Sequence, residues 1–131
     1  MIIVDTTVWI DYLRGSRTAE TDWLEAHLTR ERLALTDLIL CEILQGTTTV
    51  RDFQSVHTEL LKFEIFETGT IRVALEAASN YRRLREAGRR VRRTIDTLIA
   101  TFCLLEGHSL LHRDRDYDPF EEVLGLNVIH A

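Results

Sequence analysis

The sequence predicts an α/β domain, a mostly parallel central sheet flanked by helices. Short apolar runs of strand length alternate with longer stretches of helical spacing. Six scattered glycines and a single proline, Pro119, punctuate these segments, with no linker, repeat or low-complexity tract between them. A length of 131 residues is enough to bury one core, so one domain over 1–131 is expected.

Ile2-Ile3-Val4 reads as a buried strand, followed by a short helix from Thr6 to about Leu13 that Gly15 ends. Thr18 to Thr29 is helical, with Trp23, Leu24, His27 and Leu28 on one side. Leu33-Ala34-Leu35 is the second strand. Thr36 is placed to cap a helix running to Gln45, with Gly46 as its stop. Residues 49–61 form a weakly amphipathic helix, and Phe63 to Phe66 a short strand. Thr70 caps a long helix in which Ile71, Ala74, Leu75, Ala78, Tyr81 and Leu84 recur at helical spacing and which Gly88 closes. Thr94 is expected to cap the next helix, ending at Gly107. Ser109-Leu110-Leu111 is a strand, Asp118-Pro119 an N-cap followed by proline at the first helical position, and Asn127-Val128-Ile129 a final strand.

Apolar content of 45% and charged content of 28% are ordinary for a soluble globular protein. No basic region precedes the first apolar run, which meets Asp5 at once, so it is not read as a signal peptide. No apolar stretch approaches the ~20 residues that span a bilayer. A cytoplasmic location without a membrane partner is the expectation. Cys41 and Cys103 form no C-x-x-C pair and read as buried free thiols.

Net charge is −5, against a general nucleic-acid binder, but its distribution is uneven. Seven of the 16 basic residues lie between Arg82 and Arg93 (82, 83, 85, 89, 90, 92 and 93), opposed there only by Glu86. Lys62 is the only lysine, and arginine is the better bidentate partner of phosphate. Such a run is often a solvated helix face; its mutual repulsion equally suits an anionic partner.

The acids carry the chemistry. Asp5 ends an apolar strand, Glu42 interrupts Leu38-Ile39-Leu40-Cys41-Glu42-Ile43-Leu44, Asp96 sits in Ile95-Asp96-Thr97-Leu98-Ile99-Ala100, and Asp114 and Asp116 follow Leu110-Leu111. A carboxylate in apolar surroundings is costly to ionise without an offsetting partner. Each has a bland explanation: Asp5 as a helix cap, Asp96 as a first-turn charge favouring the macrodipole, Asp114, Asp116 and Asp118 as loop charge. Glu42, mid-helix among apolar residues and expected to be buried, has the weakest of these. In a parallel sheet Asp5 and Asp114 fall at the carboxyl edge, where ligands bind. Asp114 and Asp116 face one way if extended geometry persists. Four or more acids at one edge repel one another, and a divalent cation resolves that; all-oxygen ligation suits Mg²⁺ or Mn²⁺ rather than zinc. His27, His57, His108, His112 and His130 are dispersed. A metal–carboxylate pocket suits phosphoryl chemistry, because the ion acidifies a bound water and stabilises the leaving oxygen. The Thr7 hydroxyl is placed to orient a water or metal ligand, or to satisfy backbone at the helix start.

Val4-Asp5-Thr6-Thr7-Val8-Trp9-Ile10-Asp11, the helix holding Glu42, Thr94-Ile95-Asp96-Thr97-Leu98-Ile99-Ala100 and Leu110-Leu111-His112-Arg113-Asp114-Arg115-Asp116-Tyr117 resemble, in order and spacing, the motifs of PIN-domain ribonucleases, and more closely the VapC toxins of bacterial toxin–antitoxin pairs. The resemblance covers essentially the whole chain. It implies a PIN-like fold and a Mg²⁺-dependent endoribonuclease in which Mn²⁺ substitutes. Asp5, Glu42, Asp96 and Asp114 would be the catalytic acids; Asp5, Asp96, Asp114 and Asp116 would bind metal. Thr7, Arg89, Arg90, Arg92, Arg93 and Arg113 are the candidate substrate contacts. A cognate VapB antitoxin, a toxin homodimer and a higher assembly of the two are implied as partners. RNA is the implied substrate, transfer RNA in many relatives and ribosomal RNA in others. Tyr117 stands where the pattern more often has phenylalanine, and His112 where a small hydroxyl residue is common; neither change removes a carboxylate. An aspartate-nucleophile phosphatase would need a second Asp where Thr7 stands. A binding module with a structural ion would not need so crowded an anionic pocket.

Overall fold

Parallel pairing needs crossover connections, and the chain supplies a helical one between each pair of successive strands. The computed structural model describes residues 1–131. Its elements run β1 (Ile2–Val4), α1 (Thr6–Leu13), α2 (Ala19–His27), β2 (Leu33–Thr36), α3 (Asp37–Gln45), α4 (Val50–Leu60), β3 (Glu64–Phe66), α5 (Ile71–Glu86), α6 (Thr94–Glu106), β4 (Ser109–Leu111), a 3-10 turn (Arg115–Tyr117) and α7 (Asp118–Leu124). The four strands form one all-parallel sheet in the order β3-β2-β1-β4. β1 pairs Ile2, Ile3 and Val4 with Ser109, Leu110 and Leu111, and its other edge joins β2. The chain therefore leaves β1 in one direction and returns on its other side. That reversal opens a crevice at the carboxyl ends of β1 and β4.

β1, β2 and the Leu110-Leu111 part of β4 are buried on both faces, as their continuous apolar runs require. The core joins Ile3, Leu35, Leu110 and Leu111 of the sheet to Val8, Trp9, Leu24, Ile39, Leu84, Ile99 and Phe120 of the helices. Most helix starts are capped by a side-chain oxygen: Asp5, Thr18, Thr36, Thr49 and Thr70 each accept a backbone N–H from the first turn, as expected for Asp5, Thr36 and Thr70.

Several expectations need correction. Of the α5 residues that recur at helical spacing, only Leu84 belongs to its buried face. Ile71 and Leu75 are 80% and 69% exposed, and Val73, Ala77 and Asn80 pack inward with Leu84. Asn80 Nδ2 donates to Thr101 Oγ1 of α6 at 3.1 Å, so a polar pair lies at the centre of that helix contact. Thr94 is the first residue of α6 rather than its cap; Arg93 holds the cap position without a side-chain cap bond. Asp118 likewise opens α7, because Tyr117 ahead of it is already helical. Val128 makes only a bridge to Leu110, through Leu110 N–H to the Asn127 carbonyl and Ile129 N–H to the Leu110 carbonyl, and no fifth strand forms. Gly46 ends α3 in a right-handed conformation, with no use of glycine's freedom; Gly107 closes α6 at φ 70°, where it is needed. Cys103 is buried, its thiol pushed up to about 12 by burial and the Asp5 charge, whereas Cys41 faces outward from α3 and is exposed. No helix is long and apolar enough to cross a membrane.

Candidate active site

Asp5 leaves the buried end of β1 and caps α1, so its backbone is fixed by two elements at once. Its Oδ2 accepts from the Thr7 N–H at 3.2 Å and from the Thr7 hydroxyl at 2.8 Å; its Oδ1 accepts from the Tyr117 hydroxyl at 2.8 Å. Each carboxylate oxygen has two lone pairs, so Oδ1, with one bond, keeps a lone pair free, while Thr7 takes both of those on Oδ2. The Thr7 hydroxyl in turn accepts the Arg113 N–H at 3.1 Å, tying α1 to the loop after β4. Thr7 is thus a clamp between Asp5 and that loop.

Glu42 projects from the middle of α3 with 13% of its side chain exposed, less buried than its apolar neighbours implied. Its Oε1 accepts from the Thr6 hydroxyl at 2.7 Å. Asp96, in the first turn of α6, is 1% exposed. Its carboxyl is raised from 3.8 to about 6, by burial first and by the Asp5 and Asp114 charges, against the lowering effect of Arg93.

The loop after β4 does not stay extended. Asp114 caps the 3-10 turn by accepting the Asp116 N–H at 2.9 Å, and its own N–H donates to His112 Nδ1 at 3.0 Å. That turn, rather than strand alternation, brings Asp114 and Asp116 beside Asp96. One carboxylate oxygen from each of the three lies within 4.8 Å of the others. Three converging oxygen donors with a buried acid among them fit a hard divalent cation. Asp5 stands beside this trio, near enough for its charge to raise Asp96. Burial lowers the His112 pKa despite the surrounding acids, and Nδ1 already accepts a backbone proton, so its ring is a neutral brace for the loop. The Tyr117 hydroxyl is pushed well above its ordinary value by burial and by the Asp5 and Asp96 charges, which keeps it a proton donor to Asp5.

The arginines divide. Arg93 forks onto Asp96, with Nε to Oδ2 and Nη2 to Oδ1 both at 3.2 Å; it also reaches Asp114 at 3.3 Å and Glu42 at 3.7 Å. Burial works to lower its pKa, but the three acids outweigh that and raise it. Arg89 pairs with Glu122 of α7, and Arg113 with Asp11 at 3.1 Å. Arg90 and Arg92 are exposed without an ion pair. A cleft of about 500 Å³, lined by Arg113, Asp114, Arg115, His130 and their neighbours, shares Asp114 with the cluster but not Asp5, Glu42 or Asp96. Thr6 and the Tyr117 hydroxyl, which donate to Glu42 and Asp5, were not among the candidates the sequence offered. The run Asp5-Thr6-Thr7 and the tyrosine at a phenylalanine position were their only signals.

The PIN domain family matches residues 2–123. The chain is 30% identical to Ribonuclease VapC11 of Mycobacterium tuberculosis over 133 aligned positions, 98% of this chain and 97% of that one. The same figures hold for VapC ribonuclease Mb1587 of Mycobacterium bovis. Among solved structures, it is similar in fold to VapBC2 of Rickettsia felis bound to a promoter DNA fragment, with a TM-score of 0.78, 18% identity and 98% of both chains covered. It is also similar to FitAcB of Neisseria gonorrhoeae, with a TM-score of 0.76, 19% identity and 99% and 97% covered. The four-strand parallel sheet, the acid-bearing edge and the full-length match agree, and the chain belongs to the PIN-domain family, among the VapC ribonucleases.

Proposed function

We propose that this chain is the toxin of a VapBC pair, a Mg²⁺-dependent endoribonuclease in which Mn²⁺ substitutes. The single observation that carries this is the meeting of Asp96, Asp114 and Asp116 at the carboxyl edge of a parallel sheet, on a PIN-family chain. Asp5, Asp96, Asp114 and Asp116 would hold the ion, and Asp5, Glu42, Asp96 and Asp114 form the catalytic acids. A divalent cation bound there supplies Lewis acidity, lowering the pKa of a water and stabilising the leaving oxygen of a phosphodiester. The chain's own residues do the positioning. Thr7 and Tyr117 orient the two oxygens of Asp5, and Thr6 orients Glu42. The exposed Arg90 and Arg92 meet the RNA backbone, aided by Arg93 and Arg113 at the rim; Arg89, held by Glu122, adds positive potential beside them.

Transfer RNA is the expected substrate. A cognate VapB antitoxin that inhibits cutting, a toxin homodimer and a larger toxin–antitoxin assembly complete the reading. The VapBC and FitAcB neighbours support the antitoxin.

The purified chain should cut structured RNA, transfer RNA included, with Mg²⁺ or Mn²⁺ and stop when EDTA removes the ion. Asp5→Asn and Asp96→Asn should each lower cleavage roughly 100-fold or more with unchanged circular dichroism. Normal cutting by both variants would remove the catalytic assignment.

A further inference from the structure

Arg93 occupies a position that membership of an arginine run does not explain. It stands at the head of α6 with extended backbone, three residues before Asp96. One guanidinium serves three acids: a two-point fork on Asp96 at 3.2 Å, Asp114 at 3.3 Å and Glu42 at 3.7 Å. No other basic side chain pairs with any of them. Asp96 and Asp114 are also two of the three carboxylates that converge. The guanidinium therefore draws on both oxygens of Asp96 and one of Asp114, two of the carboxylates that a divalent cation would take.

The two cannot share those oxygens without conflict. Two positive groups a few ångströms apart repel, most strongly where a buried wall limits screening by water. The acids are the fixed party, since Asp96 is buried and Asp114 is pinned by the 3-10 turn. Arg93 is the movable one: half of its side chain, 49%, is exposed, and its long stem can carry the fork into water.

We propose that Arg93 is the resident counter-ion of this pocket and exchanges with the divalent cation. Without metal it offsets the mutual repulsion of Glu42, Asp96 and Asp114. On metal loading it leaves their oxygens, so its release sets part of the cation affinity. The inference rests on the metal-site reading above, and it concerns a residue that opposes metal binding rather than one that supplies it.

Calorimetric titration of the metal-free full chain with Mn²⁺ tests it. Arg93→Gln should bind Mn²⁺ roughly tenfold more tightly than the native chain, a coupling of ordinary size. Arg92→Gln, which removes a neighbouring charge that touches none of the acids, should stay within about twofold, as screening of an exposed charge requires. Arg93→Gln should also melt earlier than the native chain without metal and recover most of the difference in saturating Mn²⁺. A direct readout needs no variant to fold: the Arg93 Nε–H resonance of ¹⁵N-labelled native protein should lose its protection from solvent exchange as Mg²⁺ saturates. Equal or weaker Mn²⁺ binding by Arg93→Gln, or an unmoved Nε–H signal at Mg²⁺ saturation, overturns the exchange while leaving the metal site intact. If neither the native chain nor Arg93→Gln binds Mn²⁺, the metal-site reading itself falls and the exchange with it.

Discussion

Asp96 is held by α6 with its carboxylate almost wholly out of water, so the state of its charge depends on its neighbours. Burial and two nearby carboxylates favour the protonated acid; Arg93 opposes them. The folded chain therefore binds this proton more tightly than the unfolded chain, with titration near 6 against 3.8. The sign follows from linkage: the contribution to stability is complete below about pH 4 and is lost as pH rises through about 6. The loss is on the order of 3 kcal/mol. Chemical denaturation of the metal-free chain should accordingly show higher stability near pH 5 than at pH 7.5, a difference that shrinks in Asp96→Asn. At this scale the sequence was informative about the acids themselves, because Asp5, Glu42 and Asp96 interrupt apolar runs where ionised groups are disfavoured. It was silent on their partners. The bonds from Tyr117 to Asp5 and from Thr6 to Glu42 depend on which elements meet, and no local spacing encodes that.

Each helix reaches the sheet through a face, and the face decides what the site can lean on. α6 delivers Asp96 at its first turn and packs on α5, where Asn80 and Thr101 share a buried hydrogen bond. Truncating Asn80 to Ala removes that bond and leaves a buried hydroxyl without its donor. We expect Asn80→Ala to cost about 1–3 kcal/mol in denaturant midpoint measurements, with the acids themselves untouched. Periodicity located α5 but not its inner face: Ile71, Leu75 and Tyr81 are apolar and exposed, while the polar Asn80 is buried. Hydrophobic spacing counts apolar residues, and it cannot see a polar pair that satisfies itself on burial. The cap oxygens of α3 and α5, Thr36 and Thr70, were legible because an N-cap is a local bond, made within three residues; by the same bond Thr18 and Thr49 cap α2 and α4, which the sequence reading did not assign. The bridge at Val128 was over-read as a strand, since the β-branched pair Val128-Ile129 has strand character whether or not its neighbour offers more than one residue.

At the scale of the whole molecule, strand order creates the site. Because β4 returns beside β1, the residues after both strands, Asp5 and Asp114, share one edge, and α3 and α6 bring Glu42 and Asp96 to it. The sequence could suggest this convergence only through the assumption of a parallel sheet; the pairing of β1 with β4 supplies the reason for it. The central claim is that these acids converge in order to hold a divalent cation. Anomalous diffraction from crystals of the full chain soaked in Mn²⁺ tests that most directly. A peak within about 2–2.5 Å of oxygens from Asp96, Asp114 and Asp116 is the expected result. Empty density among these carboxylates at saturating Mn²⁺, or manganese bound only at other places on the surface, would contradict it.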